Sequence, residues 1–196
     1  LLANDVEPIQ PVFIDYEKDL SKLTMNKGIE VLYKPNVENE LFNLYYLSES
    51  GTNNDPKKQV AVEYLEYLGT DSLAAEDLRK ELYKLGCSFS VSASPEQTYV
   101  MLNGLSENMT KAMGLFEQLL NNPRADEEAL ADMIEGILKT REDNKKNKNI
   151  ILYEGLLNFG IYGPHSPFTN VLSNKELAAL TPDDLLPVIR RLTTTE

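Results

Sequence analysis

The grouping of strands and helices into separate blocks is the feature that most constrains the fold of this chain. Residues Cys87–Ala93 alternate small polar and apolar side chains, Ser94–Gln97 has turn composition, and Thr98–Leu102 returns as a partner strand. Strands joined by a short turn are antiparallel, and blocks of helices do not supply the regular crossovers of a parallel sheet. The sequence therefore predicts an α+β fold, in which helices pack mainly on one face of an antiparallel sheet.

A second hairpin is predicted upstream. Gly28–Tyr33 and Phe42–Ser48 have strand composition and are separated by a turn-rich segment. Residues 1–20 are expected to form a linker and a lead-in strand, which becomes extended around Pro11–Asp15. Residues 21–196 are then expected to form one domain.

Capping residues and glycines mark the limits of the predicted helices. Pro187 is expected to bend the last of them. The predicted helices run from Asp55-Pro56 to Gly69, from near Ser72 to Gly86, from Ser106 to just before Pro123, from the cap Asp126 through Leu138, from Ile150 to Phe159 (ended by Gly160 and Gly163), and from the capping boxes Ser173–Glu176 and Thr181–Asp184.

Charge and hydropathy exclude two classes of partner. The 196 residues include 31 acidic and 19 basic side chains, a formal net charge of −12, so nucleic acid would meet repulsion. The densest basic run, Lys145, Lys146 and Lys148, alternates with asparagine and is typical of a solvated surface. Because no stretch approaches the roughly 18–20 apolar residues of a membrane span, we expect no membrane insertion.

The segment Val60–Thr70 carries the most specific pattern in the chain, VAVEYLEYLGT. In its length, its Gly-Thr ending and its glutamate, it resembles the active-site helix of the insulinase/pitrilysin-type zinc metallopeptidases, or inverzincins. In that family the helix carries H-x-x-E-H, two zinc-binding histidines with a general base between them. The resemblance places the histidine positions at Val60 and Tyr64 and the base position at Glu63.

The resemblance covers roughly residues 28–192. Glu142, which follows Tyr64 by 78 residues, and Glu135 match the family's conserved glutamate pair on its ligand helix, of which the second is the third zinc ligand. It implies the fold of the processing-peptidase/insulinase-type metallohydrolases, here without a last strand. From the residues alone, Glu135 and Glu142 also fit a solvated helix face, because positions seven apart lie on one side of a helix.

The residues that differ from the motif are incompatible with zinc-dependent hydrolysis by this chain. A catalytic zinc needs three protein ligands and an open position for water. Val60 cannot coordinate a metal, and a tyrosine with a pKa near ~10 is a poor zinc ligand. Without zinc the pKa of water stays near ~15.7, so Glu63 has nothing to activate. We therefore predict no catalytic residue and no metal in this chain.

Two further residues invite a functional interpretation. His165, the only histidine, lies in a Gly-Pro loop without a second ligand nearby and is expected to be structural. Cys87, the single cysteine, follows a helix-ending glycine and is expected to be a small buried residue. A wider set of tyrosines fits either a peptide groove or the core: Tyr45, Tyr46, Tyr64 and Tyr67.

The resemblance implies a non-catalytic domain of a zinc-dependent metalloendopeptidase, which helps to enclose and bind unfolded peptide opposite a catalytic domain. That zinc-bearing domain would lie in the same polypeptide or in a separate subunit. The compartment stays open, with the bacterial periplasm or cell envelope favoured over the cytoplasm. Two alternatives stay open. One is a structural or assembly subunit with no role in proteolysis, and the other is an enzyme that uses the remaining carboxylates with another metal.

Overall fold

The computed structural model describes residues 10–11, 13–25 and 28–192, and it divides the chain into two compact units, Leu1–Glu38 and Asn39–Glu196. In the first unit, β1 (Ser21–Thr24) and β2 (Glu30–Tyr33) pair antiparallel, with Ser21 opposite Tyr33. Residues 13–15, where an extended lead-in was expected, form no strand, and residues 1–9 of the expected linker lie outside the described residues.

The predicted pairing of 28–33 with 42–48 is wrong. The 28–33 segment pairs with β1 instead, whereas β3 (Leu41–Ser48) pairs along its whole length with β6 (Thr98–Leu105). Buried or half-buried positions alternate with exposed ones in β3 and pair with the less exposed positions of β6, so Phe42 lies on the same face as the core residues Val100 and Leu102.

The main sheet has the order β3-β6-β5, all antiparallel, and β5 is Cys87–Ala93. This confirms the hairpin predicted for the middle of the chain, and β6 continues three residues past the predicted end to Leu105. Ser94 holds the turn, since its N–H donates to the Gln97 carbonyl at 2.7 Å. A short second ladder joins β4 (Gly69–Thr70) to β7 (Pro123–Arg124).

The helices follow the predicted order with shifted ends. Predicted helix one ends early because Leu68 N–H bonds to the carbonyl three residues back and the chain then enters β4. Predicted helix two starts late because Thr70 Oγ1 accepts from Leu73 N–H and fixes a turn. The observed helices are α1 (Lys57–Leu65), α2 (Ala75–Lys84), α3 (Met109–Asn121), α4 (Glu127–Asn144), a π-helical segment (Ile150–Leu156) that continues into α5 (Leu157–Tyr162), α6 (Asn174–Ala178) and α7 (Pro182–Arg191), with 3-10 turns at Ser106–Asn108 and Pro167–Thr169.

The predicted caps are present. Asp126 accepts from Ala129 N–H at 2.9 Å, and both capping boxes form, with Ser173 N–H donating to Glu176 at 2.7 Å. Gly160 does not end its helix, which runs to Tyr162 and stops at Gly163, where φ is 72°. Pro187 lies inside α7.

The core lies between one face of the main sheet and the helices, which confirms the predicted α+β class. Val100 and Leu102 of β6 are buried, and Tyr99, the residue before Val100, is exposed on the opposite face. The helical side of the core is formed mainly by α1, α3 and α7 through Ala61, Tyr64, Leu65, Phe116, Leu120, Leu185 and Ile189. No helix within the described ranges is long and apolar enough to cross a bilayer.

Candidate functional site

An open groove of about 810 Å³ lies between α1, α4 and the segment that follows α5. One face of α1 forms a wall of it, because Val60, Glu63 and Tyr67 recur at intervals of three and four residues. The opposite wall is one stripe of α4, and the rim is an irregular segment before α6. The α4 stripe consists of Asp132, Met133, Gly136, Ile137, Thr140 and Arg141, and the rim of Pro167, Asn170, Val171 and Leu172.

The groove extends towards strand β5. A second cavity of about 320 Å³ shares Gln59, Glu63, Tyr67 and Met133 with it and reaches Val91 and Ser92. The two spaces therefore lie next to each other alongside α1.

Glu63, at the base position of the resemblance, is half-buried in the groove wall. Its Oε1 accepts a hydrogen bond from Gln59 Nε2 at 2.5 Å, one helical turn earlier. The carboxylate of Asp132 lies in the facing wall. The groove lining therefore carries two carboxylates and one guanidinium, that of Arg141, which leaves a net negative charge.

Tyr64, at the second histidine position, is fully buried and is not a groove residue. Its hydroxyl donates to the Asp126 carbonyl at 2.8 Å and accepts from Asp126 N–H at 2.8 Å. Burial raises the pKa of this phenol, which the hydrogen bond to Asp126 opposes only in part. The Tyr64 side chain thus ties α1 to the N-terminus of α4.

The two relict-ligand candidates lie on α4 but outside the groove. Glu135 and Glu142 are exposed, and Glu142 forms an ion pair with Lys145, with 2.5 Å between Oε1 and Nζ. The structure brings neither of them to Glu63. Their correspondence to the family's glutamate pair rests on position in the sequence and stays a prediction.

Sequence reasoning missed Arg141. Its Nη1 donates to the Leu172 carbonyl at 2.8 Å and to Asn174 Oδ1 at 2.9 Å, so it fixes the rim segment to α4. The signal was present in the periodicity, because Arg141 continues the stripe of Met133 and Ile137 by one further turn.

The other singled-out residues are dispersed. His165 is exposed in its loop, and Cys87 is buried, as predicted, so burial raises the pKa of its thiol. Of the four tyrosines, Tyr67 lines the groove and Tyr45 is exposed on the sheet. Tyr46 donates to Glu117 at 3.1 Å, and burial together with that carboxylate raises its pKa.

A catalytic zinc does not fit this site. The groove offers carboxylates, an amide and hydroxyls, and Val60 places an aliphatic group where the first imidazole would be. In the described part of the chain, no three His, Cys, Asp or Glu side chains are grouped so that they could hold a metal ion. What the groove can do chemically is accept hydrogen bonds and attract positive charge along an extended ligand.

Comparison with known proteins gives a consistent pattern. The sequence model of the family described as Insulinase (Peptidase family M16) matches residues 50–161. A protein of Rickettsia felis named an uncharacterized zinc protease is 24% identical over 138 residues, which are 69% of this chain and 34% of that protein. The beta subunit of the mitochondrial-processing peptidase of Neurospora crassa is 22% identical over 137 residues, which are 68% of this chain and 29% of that subunit.

Structural comparison gives the same fold. The crystal structure of a peptidase M16 inactive domain from Pseudomonas fluorescens has a TM-score of 0.74 and 20% identity, and the match covers 87% of this chain and 42% of that one. At this identity the likeness shows the fold. The chain spans about a third of the length of the two relatives.

Proposed function

Because this chain belongs to the insulinase family of peptidases, family M16, we propose that it is a non-catalytic domain of a zinc-dependent metalloendopeptidase. In this role it binds unfolded peptide and helps to enclose it opposite a catalytic domain. The observation that carries the proposal is the position of two adjacent side chains of α1, Glu63 and Tyr64. The helix keeps Glu63 beside an open groove, whereas Tyr64 is fixed to the backbone of Asp126.

The shape and the polarity of the groove support peptide binding. Its volume of about 810 Å³ falls within the roughly 300–1,000 Å³ of ligand-binding pockets. Its walls combine apolar side chains such as Met133 and Ile137 with polar groups at the edges. Carboxylates at Glu63 and Asp132 favour peptides that carry basic side chains.

The catalytic zinc belongs to a partner domain in this proposal. Three protein ligands and a bound water are what a hydrolytic zinc requires, and the α1 positions here cannot supply them. The matched segments make up only 34% and 29% of the two relatives, which leaves room for a second domain in such proteins. In the protein studied here, that domain is carried by the same polypeptide or by an associated subunit.

The experiment fills the groove without disturbing the fold. Gly136 lies in the α4 wall, and a Cβ built on it meets no atom within 4 Å, so Gly136→Leu projects into the groove. Gly114 in α3 is matched to it: it is also inside a helix, and a Cβ there also meets nothing within 4 Å. Both changes gain helix propensity by up to about 1 kcal/mol.

Binding of a fluorescein-labelled, unfolded basic peptide is measured by anisotropy in the natural polypeptide that contains this chain, with any associated subunits. Gly136→Leu is expected to weaken binding on the order of tenfold, about 1.4 kcal/mol, whereas Gly114→Leu leaves it unchanged. Equal affinities in the two variants would reject the groove as the peptide site. That result, with intact assembly of the complex, would favour the structural or assembly subunit.

A further inference from the structure

The helical segment Ile150–Tyr162 presents an apolar surface that nothing in the described structure covers. Its large side chains point outward: Tyr153 is 64% exposed, Leu156 58% and Phe159 58%. Glu154 is its only charged residue. An amphipathic surface helix normally turns its charged residues to water, so this arrangement is the reverse of the usual one.

The apolar surface continues beyond the helix. The 3-10 turn Pro167–Thr169 packs against α5, and the nearby Phe168 and Val171 are also exposed. Ten large apolar side chains between Ile151 and Val171 are each between 42% and 64% exposed. At roughly 150–250 Å² for a large side chain, they present on the order of 1,000 Å².

This area is the size of a stable protein interface. The largest apolar patch on an ordinary monomer measures about 300–600 Å². One partner in a standard protein complex buries about 800 Å². The ten side chains lie on several sides of the helical segment, and their summed exposed area is of the order that one partner of such a complex buries.

Charge argues against two of the possible occupants. A second copy would bring another −12 to a chain that already carries −12, and an anionic bilayer would be repelled in the same way. The three lysines just before the segment, Lys145, Lys146 and Lys148, are too few to offset a net charge of −12. Lys145 and Lys146 lie 2.5 Å and 3.8 Å from the carboxylates of Glu142 and Asp143 in α4.

We propose that the exposed apolar surface of Ile150–Tyr162, together with Phe168 and Val171, is where a second domain of the same peptidase family docks. The inference rests on the proposed function, because it identifies the surface that receives the partner domain. The chain covers only 34% of the Rickettsia relative and 42% of the Pseudomonas structure, so such proteins contain further chain of the required size. Val171 also lines the groove, so a domain docked here lies at its rim, where a peptide would be held between the two.

The test measures the accessibility of introduced cysteines in the natural polypeptide with any associated subunits. Leu156→Cys reports the surface, and Tyr83→Cys, 83% exposed on α2, is the matched control. Thr140→Cys reports the groove. Cys87 is buried and adds little background, and peptide mapping by mass spectrometry assigns each maleimide adduct to its site.

Leu156→Cys is expected to react roughly tenfold more slowly than Tyr83→Cys in the native protein and at the same rate in urea. Equal native rates would overturn the proposal. Protection of Leu156→Cys that is lost when the protein is diluted to monomers would also overturn the proposal, because it would identify a second copy as the occupant. Protection that appears only when vesicles of anionic lipid are added would overturn it as well. Thr140→Cys separates the two hypotheses: protection of this site by the basic peptide, with position 156 freely reactive, supports the groove and rejects the docking surface.

Discussion

Tyr64→Phe tests whether the residue at the former ligand position has become a structural link. The substitution keeps the ring and removes one oxygen. In the native protein that oxygen donates to the Asp126 carbonyl and accepts from Asp126 N–H, both at 2.8 Å. It therefore joins α1 to the cap residue of α4 across 62 positions of sequence.

The expected cost follows from what each partner loses. The Asp126 carbonyl still accepts from Leu130 N–H at 3.1 Å, so it keeps one hydrogen bond. The Asp126 N–H faces the site of the lost hydroxyl and is left without that acceptor. A typical intramolecular hydrogen bond contributes about 0.5–1.5 kcal/mol, and the substitution removes two that are only partly buried, so we expect a loss of about 1–2 kcal/mol.

Chemical denaturation and thermal melting measure this loss. For a chain of this size, each kcal/mol lowers Tm by about 2–4 °C. Tyr67→Phe is the control, because Tyr67 is 49% exposed in the groove wall and its change should stay within about 0.5 kcal/mol. If the two variants were equally stable, Tyr64 would not be the link described here.

Two further perturbations test the electrostatics of the same region. The pKa values of Tyr46 and Tyr64 are raised by burial, so their stabilising contribution is full below the unfolded value of about 10 and is lost as pH rises through the folded values. Replacing both with Phe should flatten the alkaline fall in the free energy of unfolding, and an unchanged slope would contradict the assignment. The double variant Val60→His/Tyr64→His restores the motif histidines but should not bind zinc stoichiometrically, because Glu142 faces solvent beside Lys145. Stoichiometric zinc that is lost when Glu142→Gln is added would instead establish the relict ligand position.

Local sequence patterns predicted where the strands and helices lie better than they predicted which strands pair with each other. The hairpin of β5 and β6 was predictable because its strands are joined by a four-residue turn and alternate in the same phase. The partner of β3 is β6, which lies more than fifty residues away and has no local signal. The short strand β1 was not predicted, because all of its residues are exposed and half-buried alternation is absent from it.

The residues of the candidate site were also predictable only in part. The family resemblance located α1 and its groove-facing Glu63, and it also drew attention to Glu135 and Glu142, which the structure leaves on the surface. Helix periodicity alone would have selected the α4 residues that face the groove, since they continue the apolar stripe of Met133 and Ile137. The contact between Tyr64 and Asp126 could not be predicted, because it depends on the relative placement of two helices.

The geometry of α1 explains how a peptidase domain can lose its chemistry and keep its shape. Successive turns of the helix divide into two faces, with Val60, Glu63 and Tyr67 towards the groove and Ala61, Leu65 and Leu68 in the core. Tyr64, next to Glu63, lies on the buried side, where its hydroxyl is hydrogen-bonded to the backbone of Asp126. In the non-catalytic domain that we propose, this contact holds α1 against α4 while the groove beside Glu63 stays open, so neither the fold nor the groove depends on a metal at this helix.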